Sequence, residues 1–213
     1  MRRGAFFGGA VALGLYIFAV RPWFMRWGAT EAEVRETLPG DSLVSSPKHC
    51  DTHAITIHAP VAKVWPWLVQ IGQDKGGFYS YAWLENLVGC RLHNAERVIA
   101  EYQGLKVGDP VRLHPAAPPP RAIIVEPFRA IVLSGGAASA ASPPFSGTWG
   151  FYVVKVDNAT TRLLMRSRWD WNPSLLSWFG YRCLLEPAHF IMERKMLLTL
   201  KGRIERVSSA AGY

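Results

Sequence analysis

Residues 187–207, PAHFIMERKMLLTLKGRIERV, carry the pattern that decides the fold of this chain. At roughly 100° per residue, one helical stripe collects the apolar side chains Phe190, Leu197, Leu200, Ile204 and Val207. Glu193 falls in the middle of that stripe, and His189 falls at its edge. An apolar stripe of this width predicts a helix that packs on a sheet. The carboxylate and the imidazole inside it favour a cavity beneath the first turns, suited to a mostly apolar small molecule.

The chain before this helix predicts a strand, two helices and a run of antiparallel strands. A strand is expected from 51 to 57, and helices are expected at 61–71 and 81–88. Further strands are predicted at 111–114, 122–125, 130–133, 150–156 and 162–169, with a long loop at 135–147. A capping box at Thr30 predicts a short helix that ends before Pro39. We therefore expect an α+β domain at 50–213, preceded by a short helix and connector at 28–49.

Composition narrows the classes of partner. The chain has 213 residues, a formal net charge of +8 and a hydrophobic fraction of 49%. Such a chain builds a substantial core and is not disordered. The positive charge suits an anionic partner. However, the basic residues are scattered and no recognition-helix signature is present, so we expect no nucleic-acid partner.

The N-terminus predicts a membrane anchor. Residues 4–20 carry no charge and are flanked by Arg3 and Arg21. This length is near the lower limit for a spanning helix and extends to residue 24 if Trp23 is included. A secretory signal peptide is the alternative, but no A-x-A cleavage site follows. We therefore expect a single-pass anchor at 1–27 that contacts the membrane through residues 4–24.

The cysteines and the flanking charges bear on the orientation of that anchor. The three cysteines form no disulfide framework and no C-x-x-C motif, which favours a reducing compartment. The arginines on the two sides of the anchor nearly balance. A domain on the cytoplasmic side of the membrane is therefore the expectation, and it rests on the cysteines.

Two phrases of the sequence carry a resemblance to a known superfamily. Residues 57–68, IHAPVAKVWPWL, are similar to its strand-end, Ala-Pro, helix entry, and GTW at 147–149 followed by RLLMRSR at 162–168 is similar to its last two strands. The chain from about residue 50 onward thus resembles the helix-grip fold of the START/Bet v 1-like (SRPBCC) superfamily, including its polyketide cyclase/dehydrase-like branch. The resemblance implies a curved antiparallel sheet wrapped around the C-terminal helix, with a hydrophobic cavity between them. It implies no reaction and no catalytic residues.

Candidate ligand contacts come from an aromatic segment, GFYSYAWLENL at 77–87, and from the polar residues that follow it. The residues predicted to line the cavity are Tyr81, Trp83, Glu85, Asn86, Asn94, Arg97, Trp169, Phe190 and Leu197. In the alternative interpretation the aromatic side chains only pack, and Glu85 pairs with Arg91 or Arg97 at the surface. The aromatic run at 169–181 is predicted to pack in the core or cover the cavity; a lipid-interface position beside Trp23 and Trp27 is its alternative.

Glu193 and His189 are the candidate catalytic residues. Four residues apart on a helix, they lie on one face, where a carboxylate and an imidazole form an acid–base couple. Burial raises the pKa of a carboxyl group and a charged partner lowers it. The alternative is a structural pair, with Arg166 or Arg168 on the last strand as a further partner.

A metal site is not expected. His49, Cys50, Asp51, His53 and His58 offer ligand atoms. On a strand, however, residues 49, 51 and 53 share one face while 50 and 58 lie on the other. No zinc spacing is present, and no Gly-rich phosphate loop follows a strand. The sequence predicts neither a metal nor a cofactor.

The combined prediction is a membrane-anchored helix-grip domain that binds a hydrophobic or amphipathic small molecule, either a lipid or a polyketide-like compound. Two alternatives stay open. One is a cyclase or dehydratase that uses Glu193 and His189 as an acid–base couple. The other is a non-catalytic interaction domain for a membrane partner. Ligand identity and oligomeric state are left open by the sequence.

Overall fold

A computed structural model of the chain describes residues 14–135 and 145–210. The strands are β1 (His49–Ile57), β2 (Arg121–Glu126), β3 (Ala130–Gly135), β4 (Phe145–Lys155) and β5 (Thr161–Trp171). The α-helices are α1 (Arg21–Phe24), α2 (Glu31–Arg35), α3 (Val61–Val69), α4 (Ala82–Leu87), α5 (Leu175–Phe179) and α6 (Glu186–Ala210). Short 3₁₀ turns lie at Asp41–Val44 and Ala100–Tyr102, and π-helical turns lie at Tyr16–Val20 and Gly180–Leu185.

Within the described residues the strands form one curved, open, five-stranded sheet in the order β1-β5-β4-β3-β2. Every neighbouring pair is antiparallel. The first strand therefore pairs with the last, and α3 and α4 lie in the connection between β1 and β2. The predicted α+β architecture, with a sheet followed by a long C-terminal helix, is confirmed.

Helix α6 packs across one face of the sheet, and this contact forms the main core. Leu197, Leu200 and Ile204 are buried against strand residues that include Leu163 and Met165. Burial of each such side chain stabilises the fold by about 1.5–3 kcal/mol. The predicted apolar stripe is therefore real as far as Ile204. Val207, which the same stripe includes, is 49% exposed.

The helical segment that ends the chain begins earlier than the pattern predicts. The sequence predicts a helix from Pro187, whereas α5 and a π-helical turn already occupy residues 175–185, and α6 itself begins at Glu186. Pro187 has no backbone N–H, so the α-helical ladder is interrupted there. A π-helical turn, Gly180–Leu185, lies directly before α6.

Residues 28–44 cover the other face of the sheet, although the sequence indicated only a short helix and a connector. Arg166 on β5 is 3% exposed and donates to Asp41 Oδ2 at 2.7 Å and to the carbonyls of Glu33, Val34 and Glu36. The predicted capping box at Thr30 is present. Both faces of β5 are consequently buried.

The membrane anchor and the localisation predicted from it are contradicted. Among the described residues, no helix has both the length and the apolar composition needed to cross a membrane. Residues 4–13 of the predicted anchor lie outside the described residues. In its described part, Arg21 forms an ion pair with the buried Glu186 at 2.7 Å, and Phe24 is buried. Hydropathy alone suggested a span because it does not register these contacts with α6.

One predicted strand is wrong, and one loop lies partly outside the described residues. Residues 111–114 do not form a β-strand. Their backbone groups bond to loop residues instead: Val111 N donates to the Pro120 carbonyl, and the Arg112 carbonyl accepts from Gln73 N. The other predicted strands and helices are present with bounds shifted by up to five residues. Residues 136–144 of the predicted long loop lie outside the described residues.

Candidate functional site

A cluster of polar side chains interrupts the apolar interface between the sheet and α6. Strand alternation turns His49, Asp51 and His53 of β1 toward α6, as the sequence predicts for these three positions. Ser167 lies beside them on β5, opposite Asp51 in the register. From α6, Glu193 points into the same space. The side chains of these residues are almost completely buried.

The carboxylate of Glu193 is the centre of the cluster. Its Oε1 accepts from Trp149 Nε1 at 2.7 Å and from Ser167 Oγ at 3.1 Å, and it lies at ion-pair distance, 2.9 Å, from His189 Nε2. Its Oε2 accepts from His53 Nδ1 at 2.5 Å. Burial by itself raises the pKa of Glu193, but the two imidazoles outweigh it and hold that pKa well below its usual range. The carboxylate is therefore charged and satisfied by its donors.

His53 is held as an imidazolium. Its Nε2 lies 2.8 Å from the carbonyl of Phe24, which only accepts, and its Nδ1 faces the Glu193 carboxylate. Both ring nitrogens must therefore carry a proton. Burial opposes this charge, but Asp51 and Glu193 raise the pKa of His53 to about 9. A positive charge thus sits under the first half of α6.

A second ion-paired group extends the cluster toward α1. His49 Nε2 donates to Asp51 Oδ2 at 2.8 Å. Its Nδ1 lies 3.0 Å from Glu186 Oε1, at ion-pair distance but without hydrogen-bond geometry. Arg21 and Arg182 also donate to Glu186. Burial lowers the pKa of His49, but Asp51 and Glu186 together raise it to about 9.

His189 is the member of this cluster that reaches the surface. Its side chain is 20% exposed, compared with 3% for Glu193. Its Nε2 points inward to Glu193 and to Ser167 Oγ at 3.0 Å. Among the residues that the structure describes, none hydrogen-bonds to its Nδ1. The ring stands edge-on to Trp169, with centroids 4.5 Å apart.

Aromatic side chains lie beside the Glu193–His189 pair: Trp169 contacts the ring of His189, and Trp149 donates to Glu193. Trp149 is half-buried between the sheet and α6, and Phe78 lies edge-on to it at 6.3 Å. We call His189, Trp149, Trp169 and Phe78 the open end of the interface. Ser80 Oγ, two residues after Phe78, donates to Met192 Sδ of α6 at 3.3 Å. The open end thus combines aromatic walls with one accessible imidazole.

Three of the clustered residues have the atom types of a metal site. Ligand atoms of Asp51, His53 and Glu193 lie within 4.8 Å of one another. In this arrangement each residue is already hydrogen-bonded: Asp51 to His49, and His53 to Glu193. A cation would have to displace the bond between His53 Nδ1 and Glu193 Oε2. The geometry as it stands is that of a hydrogen-bonded ion cluster.

The ligand-binding residues predicted at 81–97 differ in how far they are exposed to solvent. Trp83 is 65% exposed, the ring of Tyr81 lies 5.6 Å from Lys195 Nζ, and the side chain of Arg97 is exposed. Glu85 is half-buried and its Oε2 has no hydrogen-bond partner in the described part of the chain. Burial raises the pKa of Glu85 to about 7, against a hydrogen bond from Ser80.

The two predicted amides clamp the backbone. Asn86 accepts from Leu92 N and donates to the carbonyl of the same residue. Asn94 Oδ1 accepts from the backbone N–H of Phe78 and Tyr79 at 3.1 and 2.7 Å. Asn94 therefore fixes the loop that carries Phe78 to the open end.

The remaining predicted contacts divide between the open end and the core. Trp169 lies at the open end. Leu197 is fully buried in the core. Phe190 stacks on Phe24 at 5.4 Å and packs against Trp23 of α1. Phe190 thus holds the N-terminal helix in place, and its ring also packs against His53 at 5.5 Å.

Some site residues were not singled out by sequence reasoning. Ser167 and Trp149 belong to the cluster because of the β1–β5 and β4–β5 registers. Strand alternation identifies Ser167, because it places 166 and 168 on the opposite face of β5. No signal in the sequence identifies the indole of Trp149 as a donor to Glu193.

A concave surface lies outside the sheet–helix interface. It is an open groove of about 440 Å³ lined by Ser177, Gly180, Tyr181, Leu184, Leu185 and Ala188. Nearby, Leu175 is 92% and Leu176 is 83% exposed. This apolar surface contains none of the clustered titratable residues.

Comparison with known proteins adds information about the fold only. No protein-family model and no curated protein sequence matches the chain. A Zhui aromatase/cyclase from Streptomyces sp. R1128 is 14% identical, with a TM-score of 0.44 over 77% of this chain and 98% of that chain. The Aha1 dimer from Colwellia psychrerythraea is 18% identical, with a TM-score of 0.40 over 73% and 96%. A conserved protein from Geobacillus kaustophilus is 14% identical, with a TM-score of 0.40 over 73% and 94%.

The strand order of the sheet and the long C-terminal helix identify the fold without reference to other proteins. The strand β1 is followed by two helices, the remaining strands form antiparallel neighbours, and α6 crosses the sheet. This topology is that of a helix-grip fold, and the predicted fold is confirmed at that level.

Proposed function

We propose that the chain binds a hydrophobic or amphipathic small molecule at the open end of the sheet–helix interface. The observation that carries the proposal is the arrangement of His189. Its Nε2 is anchored on the buried Glu193, and its free edge emerges among aromatic side chains. Binding sites of this kind combine apolar walls with a few fixed polar groups that orient the ligand.

Packing restricts where such a molecule fits. In the middle of the interface Leu163, Met165 and Leu197 are completely buried, so α6 and the sheet leave no room between them there. His189 lies two helical turns before Leu197 on α6 and is partly exposed. Trp149 of β4, which donates to Glu193 in the turn between them, is also partly exposed. The ligand therefore enters at the open end and does not run along the whole helix.

The energy available at this position is sufficient for binding. A small aromatic molecule that removes about 200 Å² of apolar surface from water gains about 5 kcal/mol at 25 cal/mol per Å². Ordering and lost translation consume part of this gain. The hydrogen bond to His189 adds little affinity, and its contribution is to fix the orientation of the ligand.

A matched pair of tryptophan variants tests the proposal. An aromatic probe such as 2-naphthol is titrated while binding is followed by native mass spectrometry and by tryptophan fluorescence. We expect saturable binding of one probe molecule, with fluorescence quenching that is lost in Trp149→Phe and kept in Trp178→Phe. Trp178 is the control because it lies on α5, beside the apolar groove and away from the open end.

Two results would overturn the proposal. One is the absence of saturable binding for 2-naphthol, naphthalene and a long-chain alcohol. The other is quenching that disappears in Trp178→Phe and persists in Trp149→Phe, which would assign binding to the groove instead.

Acid–base catalysis on the bound molecule is the second candidate function. The observation that favours it is the Glu193–His189 pair, in which a buried carboxylate fixes the inner nitrogen of an imidazole and leaves the outer nitrogen available. In that case His189 Nδ1 takes a proton from the ligand and returns it to another atom, as a cyclase or dehydratase requires. Glu193 is then a positioning residue.

Deuterium exchange of an acidic C–H probe tests this second candidate. We expect the protein to accelerate exchange of the α-protons of 2-tetralone in D₂O, as followed by NMR. His189→Gln should abolish the acceleration, whereas Glu193→Gln should shift its pH profile. Exchange at the buffer rate, or acceleration that survives His189→Gln, would contradict it.

A further inference from the structure

We infer that the buried cluster between β1 and α6 is a binding site for one divalent transition-metal ion of the zinc class. Its ligands are Asp51 and His53 from β1, with His189 and Glu193 from α6. Spacing within β1 alone predicts no metal site, because half of this ligand set comes from α6. Metal binding goes beyond the proposed function, because it uses the buried side of His189 and requires no molecule at the open end.

Ligand atoms of the right chemical type converge at the centre of the cluster. One ligand atom from each of Asp51, His53 and Glu193 lies within 4.8 Å of the other two. His189 Nε2 reaches the same place, at 2.9 Å from Glu193 Oε1 and 3.7 Å from Asp51 Oδ2. Two imidazoles and two carboxylates thus face a common centre. Nitrogen and oxygen donors in this number suit Zn²⁺ in four-coordinate geometry.

Hydrogen bonds hold these ligands from behind. His53 Nε2 lies 2.8 Å from the carbonyl of Phe24, so its Nδ1 faces the Glu193 carboxylate. Glu193 Oε1 accepts from Ser167 Oγ, and Asp51 Oδ1 accepts from the Ser167 backbone N–H at 3.0 Å. The second oxygen of each carboxylate faces an imidazole nitrogen. Such bonds orient the ligands of a metal site and raise their affinity for the ion.

The charge of the ligand set matches that of a divalent ion. Asp51 and Glu193 are almost completely buried and contribute two negative charges. A divalent cation with two neutral imidazoles brings the sum to zero, which favours burial of the whole set. A proton now lies between His53 Nδ1 and Glu193 Oε2, which are 2.5 Å apart. The ion replaces this hydrogen bond, and the proton is released to solvent.

The movements needed to bind the ion are small. Around zinc, with bonds of about 2.0–2.1 Å, tetrahedral ligand atoms lie about 3.3 Å apart. His53 Nδ1 and Glu193 Oε2 must therefore separate by about 0.8 Å. His189 Nε2 must approach Asp51 Oδ2 by about 0.4 Å. The side chain of His189 is 20% exposed, so the ion enters beside it.

Metal titration of the whole 213-residue chain tests the inference. The protein is dialysed against EDTA and then against chelator-free buffer at pH 7.5, and bound zinc is measured by elemental analysis after gel filtration. We expect one Zn²⁺ per chain and a urea unfolding midpoint that rises with zinc concentration, because the ion binds the folded state. Co²⁺ should give the intense visible absorption of a four-coordinate complex. Mg²⁺, which prefers six oxygen ligands, should not bind.

Matched variants locate the ion within the chain. Asp51→Asn and His53→Gln should each abolish stoichiometric zinc binding, whereas Asp170→Asn and His58→Gln should retain it. Asp170 is the control for Asp51 because it forms a partly exposed ion pair with Lys48. His58 is the control for His53 because it is exposed.

Two variants outside the most buried positions keep the test decisive if those substitutions prevent folding. His189→Ala removes a partly exposed ligand and should abolish the zinc-dependent rise of the unfolding midpoint. Ser167→Ala keeps all four ligands and removes only a donor to Glu193. Its zinc affinity should fall about 10-fold, the lower end of the scale for partners of metal ligands.

The outcomes are independent of the proposed function, because no aromatic probe is present. Absence of bound zinc, or zinc binding that survives in His189→Ala with unchanged affinity, would overturn the inference. Binding that is lost equally in His58→Gln would assign the ion to the surface and would also overturn it. A Co²⁺ spectrum typical of a six-coordinate, mostly hydrated ion would contradict the four-ligand site.

Discussion

Replacement of Glu193 by glutamine removes the negative charge on which the buried cluster depends. The amide has nearly the shape of the carboxylate but cannot accept on both sides. If its oxygen accepts from Trp149 Nε1, its NH₂ group faces the protonated Nδ1 of His53, which is 2.5 Å from the present Oε2. His53 must then lose its proton to form a hydrogen bond.

The magnitude follows from burial. Removal of one partner from a buried ion pair costs about 3–5 kcal/mol. Because His53 can release its proton to solvent, we expect the lower end, about 3 kcal/mol at pH 7. With a urea dependence of about 3 kcal/mol per M for a domain of this size, the unfolding midpoint should fall by about 1 M.

The assay is urea unfolding of the wild type, Glu193→Gln, His53→Gln and the double variant. In this cycle the coupling between the two residues should be about 2 kcal/mol or more. Glu31→Gln is the control, because Glu31 forms its ion pairs at the surface and should cost less than 1 kcal/mol. A loss below 1 kcal/mol in Glu193→Gln, or a coupling near zero, would refute the account of the cluster.

Three further predictions concern pH and the opposite face of the sheet. His49 and His53 have pKa values raised to about 9, so their contribution is fully present below about pH 6.5 and is lost as the pH rises through 9. The free energy of unfolding should fall by roughly 3 kcal/mol for each histidine, about 5–6 kcal/mol for both, between pH 6.5 and 9.5, and a flat profile in urea titrations would contradict this. Burial raises the pKa of Glu85 from 4.5 to about 7, so its charge destabilises the fold increasingly as the pH rises from 4.5 to 7. Because Glu85 is partly exposed, Glu85→Gln should raise stability by about 1 kcal/mol at pH 8 and by nothing at pH 4, and equal effects at both pH values would exclude this cause. Arg166→Met should cost about 3 kcal/mol because it removes the 2.7 Å ion pair of the buried Asp41 and leaves only the longer contact with Arg168 at 3.8 Å; limited proteolysis should then cut within residues 28–44, and an uncut segment would argue against the packing of this segment on the sheet.

The C-terminal helix shows how far a periodic pattern reaches. Its stripe correctly predicts the buried positions of Leu197 and Ile204 and places Glu193 toward the sheet. The partners suggested for Glu193, Arg166 or Arg168, are wrong. Strand alternation places both arginines on the opposite face of β5, and His53 and Ser167 contact the carboxylate instead.

Other features depend on contacts that no local pattern encodes. The hydrogen bond from Trp149 to Glu193 exists only because the register between β4 and β5 places Trp149 opposite Ser167. The N-terminal segment looked like an anchor because its charge-free run is visible in the sequence. The ion pair between its Arg21 and Glu186, 165 residues away, cannot be seen in the sequence.

The most direct test of the central claim is the ¹H–¹⁵N NMR spectrum of the histidine side chains, with and without 2-naphthol. We predict that the side-chain nitrogen resonances of His189 shift on saturation with the probe. The resonances of His49 and His53, which are buried in the cluster, should stay in place. A His189 spectrum that saturation leaves unchanged would contradict the assignment of the open end as the binding site.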